Sequence, residues 1–204
     1  MSAAEPTPRV SFLIPVLDEE ARLAACLDSV RAQTMPDFEA VVVDDGSTDR
    51  SHEIALAYAR DDERFRVVHR PETLPGGPCL PQALNHGLSV CRAGLVARLD
   101  ADDLASPDRL ERQLERCDRD PTLTVVDGQV GFRGAGTHAV GEGMRLYGDW
   151  VNQIMEPADF DRAILQESPV VHPAATFRKR AVLDVGGYRS GDFPEDYDLW
   201  VRLH

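Results

Sequence analysis

The sequence predicts an α/β protein in which helices flank a mostly parallel β-sheet. Short apolar runs alternate with amphipathic segments over residues 1–126. The predicted strands begin 26 to 30 residues apart, which matches the length of a β-α-β unit. Because such crossovers place strands parallel to one another, helices are expected to cover both faces of the sheet.

The first predicted elements are a strand, a helix and a second strand. Val10–Val16 is an almost continuous apolar run, typical of a strand that is buried on both faces. Glu19–Thr34 has apolar residues at helical spacing and acidic residues in its first turn, which complement the helix dipole. The second strand, Glu39–Val43, ends at two consecutive aspartates.

The same alternation continues through the next 60 residues or so. A helix is predicted over Asp49–Arg60 and a strand over Phe65–His69. Residues 71–78 are rich in proline and glycine and predict a loop. A helix over Pro81–Arg92, with proline in its first turn, then leads to a strand over Leu95–Leu99.

One more helix and strand complete this half of the chain. Ser106 is expected to cap a helix whose apolar face holds Leu110, Leu114 and Cys117. A fifth strand is predicted over Leu123–Val126.

Residues 127–204 are less regular. Residues 127–143 contain six glycines and predict a loop or a mobile hairpin, and residues 149–165 predict one or two short helices. A strand over Ala174–Phe177 and a helix over Arg180–Val185 follow. A final amphipathic helix lacks a C-terminal stop signal, so we expect the chain to be truncated.

Length and charge exclude several classes of protein. A chain of 204 residues fits one domain with a sizeable core. Its net charge of −13 argues against binding to nucleic acid through phosphates. No apolar run is long enough to span a bilayer, and the N-terminus has no signal-peptide pattern. We therefore expect a cytoplasmic protein whose cysteines are thiols, with three of them buried on helices: Cys26, Cys91 and Cys117.

Acidic residues recur where predicted strands end. Each has a structural explanation on its own, as a helix cap, a turn residue or a solvated loop residue. Together they would repel one another strongly at one sheet edge, unless a divalent cation neutralised them. Ligands of such sheets also bind beyond the carboxyl ends of the strands. The groups are Asp18-Glu19, Asp44-Asp45, Asp100-Ala101-Asp102-Asp103 and, late in the chain, Glu195-Asp196.

Five motifs in order give the sequence a family resemblance. They are VSFLIPVLDEE, VVVDDGSTD, ARLDADD followed by PDRL, HPAATFRK and PEDYDLWVRL. In this order and spacing they resemble the family-2 inverting glycosyltransferases, from Val10 to the last residue. The resemblance implies a GT-A fold, with a Rossmann-like, mostly parallel sheet. It also implies one domain over residues 1–204, with a nucleotide-binding half at about 9–126 and an acceptor and catalytic half at about 127–204.

The resemblance places a nucleotide-sugar donor at the ends of the first strands. Pro15 and Val16 match positions whose backbone packs on the nucleotide base, and Glu19 closes that motif. Asp45 matches the carboxylate that accepts from the ring N–H of the base. Asp100 and Asp102 match the DxD motif, with the first expected near the ribose and metal and the second on the metal that bridges the diphosphate.

The remaining implied roles concern the cation and the acceptor. Asp103 shares or takes the metal role in parts of the family, so Asp102 and Asp103 both stay candidate ligands for Mn²⁺ or Mg²⁺. Asp196 matches the base that deprotonates the acceptor hydroxyl, with Glu195 beside it. His172 and Trp150 are further candidates for acceptor contacts, although histidines of this kind are more often buried hydrogen-bonding residues and such tryptophans more often pack in the core.

The implied reaction is a single displacement with inversion. The donor is expected to be a UDP- or dTDP-sugar, and the acceptor a sugar or glycolipid in surface polysaccharide or glycolipid synthesis. Such an acceptor would bring the protein to the inner face of the membrane. One departure stands out, because many relatives carry Arg-Asn where this chain has Leu84-Asn85. The contact of that arginine with the diphosphate is therefore absent or supplied elsewhere, for which Arg70 is the candidate.

Other readings fit less well. A dinucleotide-binding dehydrogenase would need GxGxxG after the first strand, and a nucleotidylyltransferase a glycine-rich loop there. A haloacid-dehalogenase-like phosphatase would need a nucleophile loop one residue longer than Asp44–Ser47 provides. The main alternative is a catalytically inactive sugar-nucleotide-binding or scaffold domain.

Overall fold

The computed structural model contains one six-stranded sheet with helices on both faces. It describes residues 6–70, 77, 79–134 and 139–204. The strand order is β3-β2-β1-β4-β6-β5. The first four strands are parallel, whereas β6 runs antiparallel to both β4 and β5. The predicted α/β class and mostly parallel sheet are confirmed.

The elements follow the order of the sequence prediction. The strands are β1 (Val10–Val16), β2 (Phe38–Asp44), β3 (Phe65–His69), β4 (Leu95–Arg98), β5 (Val125–Val126) and β6 (Thr176–Arg178). The helices are α1 (Leu23–Arg31), α2 (Ser51–Asp61), α3 (Leu80–Val90), α4 (Arg109–Arg119), α5 (Glu142–Val151), α6 (Pro157–Ala163), α7 (Lys179–Asp184) and α8 (Glu195–Leu203). A 3₁₀ turn over His172–Ala174 precedes β6.

Two apolar layers enclose the sheet. Alternate residues of β1 and β2 face α1, α2 and α4 on one side, and α3, α7 and α8 on the other. Helix α3 lies so close to the strands that a Cβ on Gly87 would come within 2.2 Å of Leu13 and 2.8 Å of Val43. Glycine at this position therefore lets the helix and the sheet pack in contact.

The edge of the sheet differs from the prediction. The fifth strand, predicted over Leu123–Val126, is only two residues long in the structure. It pairs with β6 in antiparallel fashion and not with the parallel strands β1 to β4. Instead β6, from the second half of the chain, lies between β4 and β5. Both halves thus contribute to one sheet. The regular spacing of apolar runs could not predict this strand order, because it indicates where strands lie in the sequence and not which strands pair.

Helix α1 begins later than predicted, at Leu23 instead of Glu19. The backbone N–H of Glu19 donates to Ser51 Oγ at 2.7 Å and that of Glu20 to Asp49 Oδ2 at 2.9 Å, while Asp18 has a φ of +53°. The segment before α1 is thus held by the N-terminal turn of α2 and not by helical hydrogen bonds.

Other predictions on local structure had mixed outcomes. Cys26, Cys91 and Cys117 are buried as expected. Within the predicted loop 127–143, residues 135–138 lie outside the described part, and α5 begins at Glu142, earlier than the first short helix predicted there. Most of the predicted proline-glycine loop, residues 71–76 and 78, also lies outside it. No helix among the described residues is long and apolar enough to cross a membrane.

Candidate active site

A cleft of about 210 Å³ lies at the carboxyl ends of β1, β2 and β4. Parallel strands with α/β crossovers end at one edge of the sheet, so the polar residues that follow each strand meet there. Cys79, Leu80 and Ala83 of the α3 region form the rest of the wall. The cleft brings together all six residues predicted to bind the nucleotide sugar: Pro15, Val16, Glu19, Asp45, Asp100 and Asp102.

Asp45 is buried at the floor of this cleft and is held in place by bonds within the protein. Its backbone N–H donates to Val16 O at 2.9 Å, which anchors it to the end of β1. Its carboxylate forms a short ion pair with Arg70 and accepts the backbone N–H of Cys79 at 2.6 Å. A carboxylate has about four acceptor positions, so Asp45 can take one further N–H from a ligand.

Arg70, the candidate for the missing arginine of the Arg-Asn pair, lies beside Asp45 and bonds to neighbouring groups of the protein. Besides Asp45, its guanidinium donates to Gln82 Oε1 and to Gly77 O, each at 3.0 Å. Leu84 is completely buried in the core against the sheet. Three of the five N–H groups of Arg70 are thus used by Asp45, Gln82 and Gly77, and its contact with the diphosphate stays a prediction.

Three aspartates cluster after β4. Asp100, Asp102 and Asp103 each place a carboxylate oxygen within 4.8 Å of the others. Burial raises the pKa of Asp103, and the neighbouring Asp100 and Asp102 raise it further. A set of oxygen ligands only is what Mg²⁺ and Mn²⁺ prefer, so the residues present fit a divalent cation.

Two arginines balance part of this negative charge. Arg22 lies between Glu19 and Asp102, with its nitrogens 2.8 Å and 3.3 Å from their carboxylates. Arg98, the last residue of β4, is buried and places Nη1 2.5 Å from Asp100 Oδ1. Its Nε has no hydrogen-bond partner among the described residues. The sequence prediction considered only a metal ion for this neutralisation and missed both arginines.

Asp196 and Glu195 begin helix α8 and approach the same cluster. Burial raises the pKa of each carboxyl group, and the charge of Asp100 adds to the increase for both. Asp196 Oδ1 accepts the N–H of Tyr197 at 2.8 Å, which holds the carboxylate at the helix N-terminus. A partly buried carboxylate of raised pKa beside the cleft has the properties of a general base.

His172 lies beneath Glu195 and not on an open surface. Its Nδ1 is 3.7 Å from Glu195 Oε1, and its Nε2 is hydrogen-bonded to the Tyr188 hydroxyl at 2.9 Å. Burial lowers the pKa of His172 well below its usual value, and Arg98 lowers it further. His172 is therefore a neutral, buried histidine that packs between Glu195 and Tyr188.

The structure does not bring Trp150 to this site. Its ring packs against Tyr147 within α5, with ring centres 5.9 Å apart. No contact found in the described part of the chain joins Trp150 to the acidic cluster. Trp200, by comparison, is buried against His172 and Phe177 in the core, as core packing predicts.

An asparagine clamp positions the loop that leads to α8. Asn85 Nδ2 donates to Tyr188 O at 2.8 Å, and its Oδ1 accepts the Tyr188 N–H at 2.9 Å. Gly187 precedes this contact with a φ of +71°, and a Cβ there would lie 2.5 Å from Asn85 Oδ1. In the Leu84-Asn85 pair, the asparagine thus holds the backbone of Tyr188, a role that the sequence analysis missed.

A second positioning network surrounds Arg109 in α4. Its buried guanidinium donates to the carbonyl oxygens of Arg98 at 2.7 Å and Pro173 at 2.8 Å. Nearby, Asp127 accepts the backbone N–H groups of Gly128 at 2.8 Å and Val171 at 2.9 Å. Burial raises the pKa of Asp127 to about 7. The sequence analysis did not single out Arg109 or Asp127, because it searched the helices for apolar residues and the strand ends for acidic clusters.

The mostly parallel sheet and the cleft of carboxylates at its carboxyl edge agree with the GT-A fold that the five motifs imply. The chain belongs to glycosyl transferase family 2, whose family profile matches residues 11–187. The resemblance inferred from the five motifs is therefore confirmed.

Named relatives and solved structures agree with this membership. The putative glycosyltransferase EpsH of Bacillus subtilis is 35% identical over 64% of this chain and 36% of its own length. The O-antigen biosynthesis glycosyltransferase WbnJ of Escherichia coli is 27% identical over 95% of this chain and 71% of its own length.

Among solved structures, residues 1–349 of S. aureus TarS superpose with a TM-score of 0.71 at 22% identity, and the match covers 96% of this chain and 55% of that fragment. The mannosyltransferase PcManGT of Pyrobaculum calidifontis, solved with GDP-Man and Mn²⁺, superposes with a TM-score of 0.68 at 21% identity. The match covers 97% of this chain and 52% of PcManGT. The chain thus spans about a third of the first relative and about half of these structures.

Proposed function

We propose that the protein transfers a sugar, with inversion, from a nucleoside-diphosphate sugar to a hydroxyl acceptor. The observation that carries the proposal is the joint position of two groups of carboxylates. Asp45, Asp100 and Asp102 line one cleft, and Asp196 lies close enough to Asp100 for its pKa to be raised by it. A donor site and a base at one edge of the sheet are the two requirements of a single displacement.

The floor of the cleft suits a nucleoside. The backbone of Pro15 and Val16 forms one wall, and Asp45 at the end of β2 offers an acceptor for a ring N–H. Uracil, thymine and guanine each carry such an N–H, and of these we propose a UDP- or dTDP-sugar as the donor. TarS has been solved with UDP-GlcNAc, which supports a uridine donor by analogy. Glu19 would orient Arg22 toward Asp102 and the diphosphate.

The aspartate cluster would hold a divalent cation, Mn²⁺ or Mg²⁺. Asp102 is the more exposed of the two candidate ligands, and Asp103 is half-buried. A bound cation would lower the raised pKa of Asp103. When bound, the cation supplies Lewis-acid stabilisation of charge on the departing diphosphate. Arg98 contributes a fixed positive charge below the same oxygens, whether or not a cation is bound.

Asp196 would act as the base on the acceptor hydroxyl. Partial burial strengthens its carboxylate as a proton acceptor, and helix α8 fixes its direction. Glu195, supported from below by His172, would accept a second acceptor hydroxyl. One base without a protein nucleophile gives inversion at the anomeric carbon.

The acceptor is proposed to be a sugar or glycolipid in surface polysaccharide synthesis. WbnJ is named for O-antigen biosynthesis, and a relative from Erwinia amylovora that is 28% identical is named for amylovoran biosynthesis. Glycolipid acceptors of this kind lie at membranes, so we propose action in the cytoplasm at the inner membrane face. Trp150 lies on α5, away from the contacts of the cleft, and would meet only an extended acceptor.

Calorimetry with UDP tests the donor site. We expect UDP binding with Mn²⁺, little binding with EDTA, and loss of the metal-dependent part in Asp102→Ala. Asp61→Ala is the matched control, since Asp61 is exposed at the far end of α2 and should change nothing. Parallel titrations with dTDP and GDP identify the base. No detectable binding of UDP, dTDP or GDP would contradict the proposal.

Turnover separates an enzyme from an inactive binding domain. Release of UDP from UDP-sugars, alone or with saccharide acceptors, is measured for the wild type and Asp196→Asn. We expect the variant to bind UDP as the wild type does and to lose at least a hundredfold in turnover. Binding without turnover in the wild type would favour the scaffold function, and full activity in Asp196→Asn would refute the assignment of the base.

A further inference from the structure

A second group of potential metal ligands lies outside the donor cleft. It consists of Asp44, the last residue of β2, His69, the last residue of β3, and His52 in the first turn of α2. Asp44 and His69 are direct partners in the β2–β3 pairing. Asp44 follows residues that face α2, whereas Asp45 faces Arg70 and the α3 side. The two consecutive aspartates therefore serve opposite faces of the sheet.

The distances in this group match a tetrahedral metal ion. His52 Nδ1 is 3.1 Å and His69 Nδ1 is 3.4 Å from Asp44 Oδ2. Ligands held tetrahedrally at bond lengths of 2.0–2.1 Å lie about 3.3 Å from one another. One ligand atom of each residue lies within 4.8 Å of those of the other two. Only a small adjustment of the two imidazole rings would therefore close the coordination.

An unpartnered nitrogen points to the same conclusion. His52 Nδ1 is buried and has no hydrogen-bond partner among the described residues, although a carboxylate oxygen lies 3.1 Å away. The two atoms are thus close but poorly aligned for a hydrogen bond. A cation between them would satisfy the lone pairs of both, and a buried polar atom without a partner otherwise destabilises the fold.

Asp44 is already oriented for such a role. Its Oδ1 accepts the backbone N–H of Ser47 at 2.9 Å, which leaves Oδ2 directed to the two histidines. Metal-binding carboxylates are commonly fixed by a hydrogen bond of this kind. His69 is more than half exposed, so an ion can enter from solvent.

We propose that Asp44, His52 and His69 form a second cation site, for Zn²⁺ or a similar transition-metal ion, with water in the remaining position. Two imidazoles and one carboxylate favour such ions, whereas the all-oxygen cluster in the cleft favours Mg²⁺ and Mn²⁺. The ion would join β2, β3 and α2 and hold the Asp44–Ser47 turn, from which Asp45 reaches the cleft. The site does not depend on the proposed transferase activity.

The test measures metal binding directly. The metal-free protein is titrated with Zn²⁺ by calorimetry and with Co²⁺ by visible absorption, whose intensity reports four-coordination. We expect one site that binds Zn²⁺ more tightly than Mn²⁺. Affinity should fall at least tenfold in His52→Gln and in His69→Gln and be lost in the double variant. Both substitutions are at partly exposed positions, so the folded state is retained and checked by circular dichroism.

Two controls isolate the site. His86→Gln in α3 removes a histidine elsewhere and should leave Zn²⁺ binding unchanged. Asp102→Ala should weaken Mn²⁺ binding in the cleft and leave the Zn²⁺ site intact. Zn²⁺ binding that is equal in the wild type and the double histidine variant would overturn the proposal, as would the absence of a Zn²⁺ site in the wild type. In either case the three residues form only a histidine-carboxylate contact.

Discussion

Replacing Asp127 by asparagine should stabilise the protein at neutral and alkaline pH. Asp127 accepts two backbone N–H groups, and burial raises its pKa from 3.8 to about 7. The folded protein therefore holds this proton more tightly than the unfolded chain does. The resulting stabilisation is complete below about pH 4 and is lost as the pH rises through 7. Asparagine is neutral throughout and keeps an oxygen for the Val171 N–H, but its NH2 group cannot accept the Gly128 N–H, which reduces the gain.

The size of the effect follows from the pKa change. A rise of about three units corresponds to about 4 kcal/mol at 1.36 kcal/mol per unit, which is an upper limit. Asp127 retains some exposure to solvent, so we expect about 1–3 kcal/mol at pH 8. Near pH 5 the two proteins should differ by much less, because the wild-type carboxyl is then protonated.

Urea unfolding from pH 5 to pH 8.5 measures this difference. The wild type, Asp127→Asn and the exposed control Asp61→Asn are compared at each pH. The reasoning holds if the advantage of Asp127→Asn grows with pH while that of the control does not. An Asp127→Asn protein that is less stable than the wild type at pH 8, or a difference that does not vary with pH, would refute it.

Three other predictions test the loop clamp, the buried ion pairs and the base. Gly187→Ala should lower the free energy of unfolding by about 2–4 kcal/mol, and Gly186→Ala by about 1–2 kcal/mol, because only the alanine at 187 brings a Cβ against Asn85. Thermal unfolding of the two variants measures the difference. Glu39→Ala should lower the unfolding free energy in urea by about 2–3 kcal/mol, since it removes a buried carboxylate that pairs with Arg66 and Arg92 and accepts the Ser11 hydroxyl. Turnover should rise with pH through the raised pKa of Asp196, and a pH-rate profile that is flat across the acidic range would exclude it as the base.

The parallel part of the fold could be predicted because it is encoded locally. The strand Val10–Val16 matches β1 residue for residue, and Phe65–His69 matches β3. Helix ends were less accurate, as at α1, where side chains from α2 hold the preceding segment. The place of β6 between β4 and β5 depends on contacts 50 or more residues apart in sequence, for which no local pattern exists.

The candidate site shows the same division. The residues that follow the strands, such as Asp45 and Asp102, could be placed because strand ends converge in a parallel sheet. The partners of these residues could not. Arg70 on Asp45 and Arg22 on Asp102 come from separate elements, and only the folded chain brings their charges together. Trp150 was a candidate on residue type alone, and its helix carries it elsewhere.

The position of β6 has a consequence for the growing chain on the ribosome. The edge of β4 stays unpaired until β6 has been made, since β5 contacts the sheet only through β6. Arg98 ends β4 and Arg178 ends β6, so at 5–20 residues per second the interval is about 4–16 s. During this time the nascent protein presents an open strand edge, which is the feature that promotes association between chains. Slow translation of residues 99–178, or the lack of a chaperone that covers this edge, should therefore reduce the yield of folded protein without any change in its final stability.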